Sequence, residues 1–200
     1  MDHAVALVQA YLRVNGYFTV SEFPVIVAAA AGGYRTATDL DILAFRFPGA
    51  GGMSPQENVP GAITPDPALG VRGDHPDMLI GEVKEGRAEL NAAATDPAVL
   101  RTVLIRFGCC APEAVDDIVE TLRHRGRAPI PVGHEVRLVA FGSTLEGSHG
   151  GRFLRLTLGH ILEFLEVYVA RYWKSLRVEE SKDPALGFVI LAAKARRGGR

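Results

Sequence analysis

Apolar residues recur along the chain with two different periods, and the switch between them lays out the elements. In DHAVALVQAYLRVNG, Val5, Val8 and Leu12, with Ala4 and Tyr11 beside them, fall on one face of a helix that Gly16 closes. YFTVSEFPVIVAAA is β-branched and aromatic, which predicts a strand over 17–30 whose Pro24 suits a sheet edge or a bulge. YRTATDLDILAFRF predicts a second strand. Its alternation sets Asp39, Asp41 and Leu43 on one face and Leu40, Ile42 and Ala44 on the other.

Residues 48–77 hold six glycines and six prolines, a density that predicts a mobile insertion with one short helical turn at Asp66. The pattern resumes in DMLIGEVKEG as a largely buried strand over 78–83, with Ile80, Glu82 and Lys84 on one face and Leu79, Gly81 and Val83 on the other. DPAVLRTVLIRFG and APEAVDDIVETLRHRG each join an early proline to a terminal glycine and read as helices, the first capped by Asp96. HEVRLVAFG alternates as a strand, and RFLRLT after the Gly-rich STLEGSHGGR is expected to fold back on it as a hairpin. Leu158, Leu162, Leu165, Val169, Tyr172 and Leu176 form the seam of a long helix, and DPALGFVILAAKARR gives another. The seam, with Trp173 beside it, reads as core, with a homodimer face as the alternative.

The chain has 200 residues, 48% of them apolar, enough for one α/β domain over 1–200. Its formal net charge of −1 argues against a generally basic nucleic-acid binder, while leaving room for a local patch. Cys109 and Cys110 are adjacent and poorly placed for a structural disulfide, and read as buried reduced thiols. No leader pattern or apolar run of about 18 residues is seen, so a cytoplasmic protein that does not span a membrane is expected.

The polar residues inside apolar strands carry the candidate chemistry. Asp41 and Glu82 stand 41 positions apart on consecutive predicted strands. Antiparallel pairing in suitable register would bring their side chains within roughly 5 Å. Two carboxylates at a sheet end suit the hard oxygen coordination of Mg²⁺ or Mn²⁺. Lys84, about 7 Å beyond Glu82 on the same face, could orient an attacking water or balance charge on a phosphoryl oxygen. Either pair alone has an ordinary explanation. An Asp-x-Asp often caps a turn, and Glu-x-Lys is a common surface pair.

TDLDILAF followed by IGEVKEG resembles the PD-(D/E)XK nuclease superfamily. Asp41 matches its metal-binding aspartate, and Glu82-Val83-Lys84 its E-x-K element. The resemblance spans about residues 2–141, leaving 142–200 as a C-terminal hairpin and helices. Leu40 stands where the motif has proline, and no Gln-x-x-x-Tyr element follows. The resemblance implies a restriction-endonuclease-like mixed sheet flanked by helices, Mg²⁺ or Mn²⁺ held by Asp41 and Glu82, and Lys84 as the third catalytic residue. The implied reaction is phosphodiester hydrolysis in nucleic acid, with DNA expected before RNA. Asp39 and Glu22 are additional acids. The alternative is a noncatalytic nucleic-acid-binding or protein-interaction module on the same fold.

Other polar residues read more plainly. Arg123, His124, Arg125 and Arg127 complement a helix C-terminus. Lys194, Arg196, Arg197 and Arg200 form a solvated tail. His75 could approach the site from the insertion, whereas His149 reads as a solvated loop residue. His75 and His160 have no second ligand at zinc spacing. Ser143 and Ser148 lack a nucleophile elbow, and neither cysteine has an identifiable histidine partner.

Overall fold

The computed structural model describes residues 2–29, 32–50, 65–72, 74–131, 133–146, 151–178 and 180–198. Half of the expected insertion, residues 51–64 and 73, lies outside them, as do Ser148, His149 and Arg200. Six strands are β1 (Tyr17–Ala28), β2 (Tyr34–Arg46), β3 (Asp77–Val83), β4 (Arg127–Ile130), β5 (His134–Gly142) and β6 (Leu154–Thr157). The helices are α1 (His3–Val14), α2 (Pro97–Arg106), α3 (Val115–Arg125), α4 (Leu158–Arg171), α5 (Trp173–Leu176) and α6 (Pro184–Gly198). They make a mixed α/β fold in which helices flank both faces of one mixed sheet.

β1, β2 and β3 run antiparallel in succession, and β5 then joins β3 in parallel. The helices α2 and α3 lie between β3 and β5 in the chain, which supplies the crossover a parallel pair needs. All of β3 is buried, because strands cover both its edges and helices both its faces. Tyr11, Leu12, Ile42, Leu79, Phe141, Ile161 and Leu165 fill the layer under α1, α4 and α6. Leu43, Ile80, Leu100, Leu104, Ile118 and Leu122 fill the opposite layer under α2 and α3.

Capping follows the sequence closely. The Asp2 carboxylate accepts from the Ala4 N–H, the Asp96 carboxylate from Ala98 and Val99, and Asp66 caps a short 3-10 turn over Pro67–Leu69. β1 is an edge strand with a register shift at Val25/Ile26, directly after Pro24. The tolerance of an edge for a residue that lacks an N–H explains the match.

Three expectations fail. β6 is not the return strand of a hairpin but pairs with β5 in parallel, Val139 to Leu154 through Gly142 to Thr157. The strand missed in the sequence, β4, explains this. It pairs antiparallel with residues 134–137, on the edge of β5 that a returning hairpin strand would need, and Pro129 disguises it as loop. The alternation in β2 also breaks, since Ile42 and Ala44 face one layer while Leu40 joins Leu43 in the other. Glu22, opposite Asp41 between the Ser21–Ile42 and Phe23–Leu40 pairs, has φ 52°, so the pleat is interrupted there. The long helix ends at Arg171, and a short second piece carries Leu176. Leu165, Val169, Tyr172 and Leu176 are buried as core, whereas Leu162 is exposed.

Two buried polar networks tie the layers together. The Arg137 guanidinium donates to both oxygens of Asp77, at 2.8 and 2.7 Å, and to the Leu69 carbonyl at 2.6 Å. Tyr17 also donates to Asp77. In the second network Tyr11 donates to Asp66 at 2.6 Å, and His160 Nε2 lies 2.6 Å from the same oxygen. Burial opposes ionisation of Asp66, but hydrogen bonds from Tyr11, Ala68 and His160 outweigh it and hold the carboxyl below its ordinary value.

Candidate metal and catalytic site

β2 and β3 part company at one end of the sheet, and the candidate residues stand at that fork. The last ladder pair is Ile42 with Gly81, so one further step sets Asp41 opposite Glu82. There the Asp41 side chain replaces the backbone partner, its Oδ2 accepting from the Val83 N–H at 2.8 Å. Gly81 makes the local packing possible. A Cβ there would lie 3.1 Å from the Phe141 ring and 3.3 Å from Ile42. Phe141 and Ile42 pack in the layer under α1 and α4, while Glu82 faces the other way with Ile80.

Glu82 is only 2% exposed, yet it stands one residue from the end of β3 and meets two polar side chains. The Lys84 ammonium donates to its Oε1 at 2.5 Å, and Asn91 Nδ2 donates to the same oxygen at 2.6 Å. Its Oε2 is buried with no hydrogen-bond partner among the described residues. Lys84 is held from behind, because its N–H donates to the Phe141 carbonyl at 2.9 Å and extends the β3–β5 pairing by one step. The following turn is clamped to β5 by Ser143 and Ala88 N–H bonds across to Gly86 and Thr144. A side chain at Gly142 would strike Ala88 N at 2.4 Å, so the clamp needs glycine there.

The two partners of this ion pair give opposite signals. Hydrogen bonding to Glu82 raises the Lys84 pKa against the cost of its own burial, as attraction should. The same attraction should lower Glu82, whose pKa is raised instead. Near-complete burial decides the matter: desolvation, with the negative charge of Asp41 added, outweighs the hydrogen bond and charge of Lys84. A raised folded-state pKa favours the folded state while the group is protonated, and that advantage is lost as pH rises. Wild type is therefore expected to lose stability relative to Glu82→Gln as pH climbs from 4.5 through the raised value. Paired urea titrations between about pH 4 and 8 read this; a difference that grows in the other direction contradicts it.

Asp39 is exposed and lies opposite Pro24, and it is not among the charges that shift Glu82 or Lys84. Glu22 sits opposite Asp41 in the register. His75 is at the other end of β3, beside Asp74 and seven residues before Glu82, roughly 20 Å away along a strand. It does not approach the site. His160 belongs to the Asp66 network. Cys109 is buried and Cys110 half-buried; both are free thiols, and burial pushes Cys109 up to about 11.

The sequence reading missed Asn91. It sits in NAAATD, a stretch without motif, and its role comes from using both ends of one amide. Nδ2 holds Glu82 while Oδ1 accepts from the Ala94 N–H at 2.6 Å, opening the 3-10 turn Ala93–Thr95. Arg155 was missed too. It shares a row across the sheet with Ala140 and Glu82, and its guanidinium donates to the Ala88 and Leu145 carbonyls.

No family model matches this chain, and neither a curated protein nor a solved structure is significantly similar to it. Among the described residues, no group of three or more His, Cys, Asp or Glu is placed to hold a metal ion, and no helix is long and apolar enough to cross a membrane.

Proposed function

We propose that the chain is a metal-dependent nuclease of the PD-(D/E)XK type, with a restriction-endonuclease-like fold. The observation that carries the reading is the Glu82 carboxylate, buried beside Asp41 with Oε2 lacking any donor among the described residues. A buried acceptor without a partner costs roughly 1–3 kcal/mol unless something satisfies it. A hard divalent cation at this fork would do so, and Asp41 and Glu82 are the residues that would hold it. The charges agree, for two carboxylates against one ammonium leave a negative balance that a divalent ion would turn positive, ready for a phosphodiester anion. The order of elements supports the same reading: a helix, three antiparallel strands, helices, then, after the short β4, a strand parallel to the third.

Bound there, Mg²⁺ or Mn²⁺ would supply Lewis-acid polarisation of a phosphoryl oxygen and a more acidic water. The protein groups have separable tasks. Asp41 and Glu82 contribute charge at fixed positions, Asn91 fixes the rotamer of Glu82, and Lys84 places an ammonium beside the acids to orient water and offset charge on the phosphate. With a side chain 40% exposed above a carboxylate only 2% exposed, Lys84 is the member of the pair open to substrate.

One observation favours the noncatalytic binding module: Lys84 already satisfies half of the Glu82 carboxylate, and no third ligating side chain joins the two acids among the described residues. Incubation with labelled single- and double-stranded DNA and RNA, with Mg²⁺, Mn²⁺ or EDTA, separates the readings. Metal-dependent cleavage supports the nuclease. Metal-independent binding without cleavage of any of the four substrates supports the module.

A further inference from the structure

Five arginines line one depression beside the candidate site. Gly126, Leu138, Arg152 and Phe153 line two adjoining cavities of about 430 and 310 Å³, so the two form one groove. Arg123, Arg125, Arg127, Arg137 and Arg152 border it, and among the described residues no Asp or Glu does; Arg137 is committed to Asp77, which leaves the other four. None of the four has a carboxylate partner among the described residues, although the chain as a whole carries a formal charge of −1.

The helix dipole accounts for only part of this. Arg123 and Arg125 lie in the last turn of α3, where cations are favoured. Arg127 opens β4, and Arg152 precedes β6. Their convergence comes from the fold. Gly126 caps α3 at φ 68°, and a Cβ there would fall 2.1 Å from the Arg152 carbonyl oxygen, so the two backbones meet at close quarters. The Gly126 carbonyl also accepts from the Leu138 N–H at 2.7 Å. Arg152 donates to the Arg123 carbonyl at 3.3 Å, and Arg123 to that of Thr95 at 3.2 Å.

The last contact joins the groove to the site. Leu90 and Thr95 line the smaller cavity, and between them stands Asn91, which holds Glu82. A polyanion in the groove would therefore be one short segment away from Asp41, Glu82 and Lys84. The half-buried Phe153 contributes to both cavities and offers an aromatic surface among the cations. Positive charge tracking a backbone, with an aromatic platform for bases, is the chemistry that receives single-stranded nucleic acid.

We infer that the groove bordered by Arg123, Arg125, Arg127 and Arg152, with Phe153 at its centre, binds single-stranded nucleic acid and leads it toward Glu82 across the 90–95 segment. Its connection to cleavage rests on the nuclease reading; its binding does not. The test is fluorescence anisotropy with a labelled oligothymidylate in EDTA, over a salt series. Arg127→Ala/Arg152→Ala should bind roughly tenfold or more weakly at about 50 mM salt, with the salt slope reduced by roughly 1.4, about 0.7 for each lost phosphate contact. Lys174→Ala/Lys182→Ala removes the same charge elsewhere and should bind within about twofold of wild type. Arg127→Lys/Arg152→Lys should recover most of the binding, and melting curves check that each variant is folded. The inference is overturned if wild type does not bind, if the groove variant binds as wild type does, if the control loses as much, or if a duplex of equal length binds more tightly. Groove-dependent binding without any cleavage would leave the groove standing and remove the nuclease reading, whereas cleavage unaffected by the groove variant would do the reverse.

Discussion

Lys84→Ala is expected to reduce metal-dependent cleavage by roughly 10²- to 10³-fold, the usual scale for losing one preorganised electrostatic group at a reacting centre. The variant also strips its ammonium partner from a carboxylate that is 2% exposed. Glu82 would then titrate still higher, because burial and Asp41 act on it unopposed by that ammonium. Loss of activity should therefore come with a modest stability loss at neutral pH that is smaller in acid. Asp41→Asn separates the two effects. The amide oxygen keeps an acceptor for the Val83 N–H while the negative charge beside Glu82 disappears. Cleavage should fall as far, but the melting temperature should hold or rise. Initial rates under single-turnover conditions and melting curves on the same preparations read both. Full activity in Lys84→Ala would remove the lysine from the mechanism.

Arg137→Ala should produce the largest loss of stability. Arg137 and Asp77 are both nearly buried and bonded through two pairs of atoms, and the guanidinium also holds the Leu69 carbonyl. Removing one partner strands the other charge, which costs roughly 3–5 kcal/mol. For a domain of this size that lowers the melting temperature by roughly 10 °C. The double variant Arg137→Ala/Asp77→Ala should recover part of the loss, since the stranded carboxylate is gone. The site lies at the opposite end of β3 from Asp77, so the loss should be read in stability by urea or thermal melting and not in the metal site itself. A double variant weaker than the sum of the two singles would show that the ion pair is not what the region depends on.

Most of this fold was legible in the sequence because local chemistry and tertiary demand agree. Asp66 and Asp96 cap where the sequence places them, and the apolar run at 78–83 is the buried central strand. Asp41 and Glu82 could be paired in advance because an antiparallel register needs only two adjacent strands. The failures come from information that is not local. Pro129 hid β4, and without β4 nothing in RFLRLT distinguishes a hairpin partner from a parallel one. Leu40 changed layers because of the left-handed backbone at Glu22 on the neighbouring strand. Asn91 was invisible because an amide that orients a carboxylate carries no spacing signature. The arginines at 123–127 were seen only as a helix end, since Arg152 joins them through a contact at Gly126 that spans 26 residues.

The most direct test is calorimetric titration of Mn²⁺ into wild type, Asp41→Asn and Glu82→Gln at neutral pH. If these two carboxylates form the metal site, wild type takes up one ion per chain at millimolar or lower concentration, and each variant binds at least about tenfold more weakly, a loss of about 1.4 kcal/mol. Absence of binding by wild type, or equal binding by all three proteins, would contradict the site.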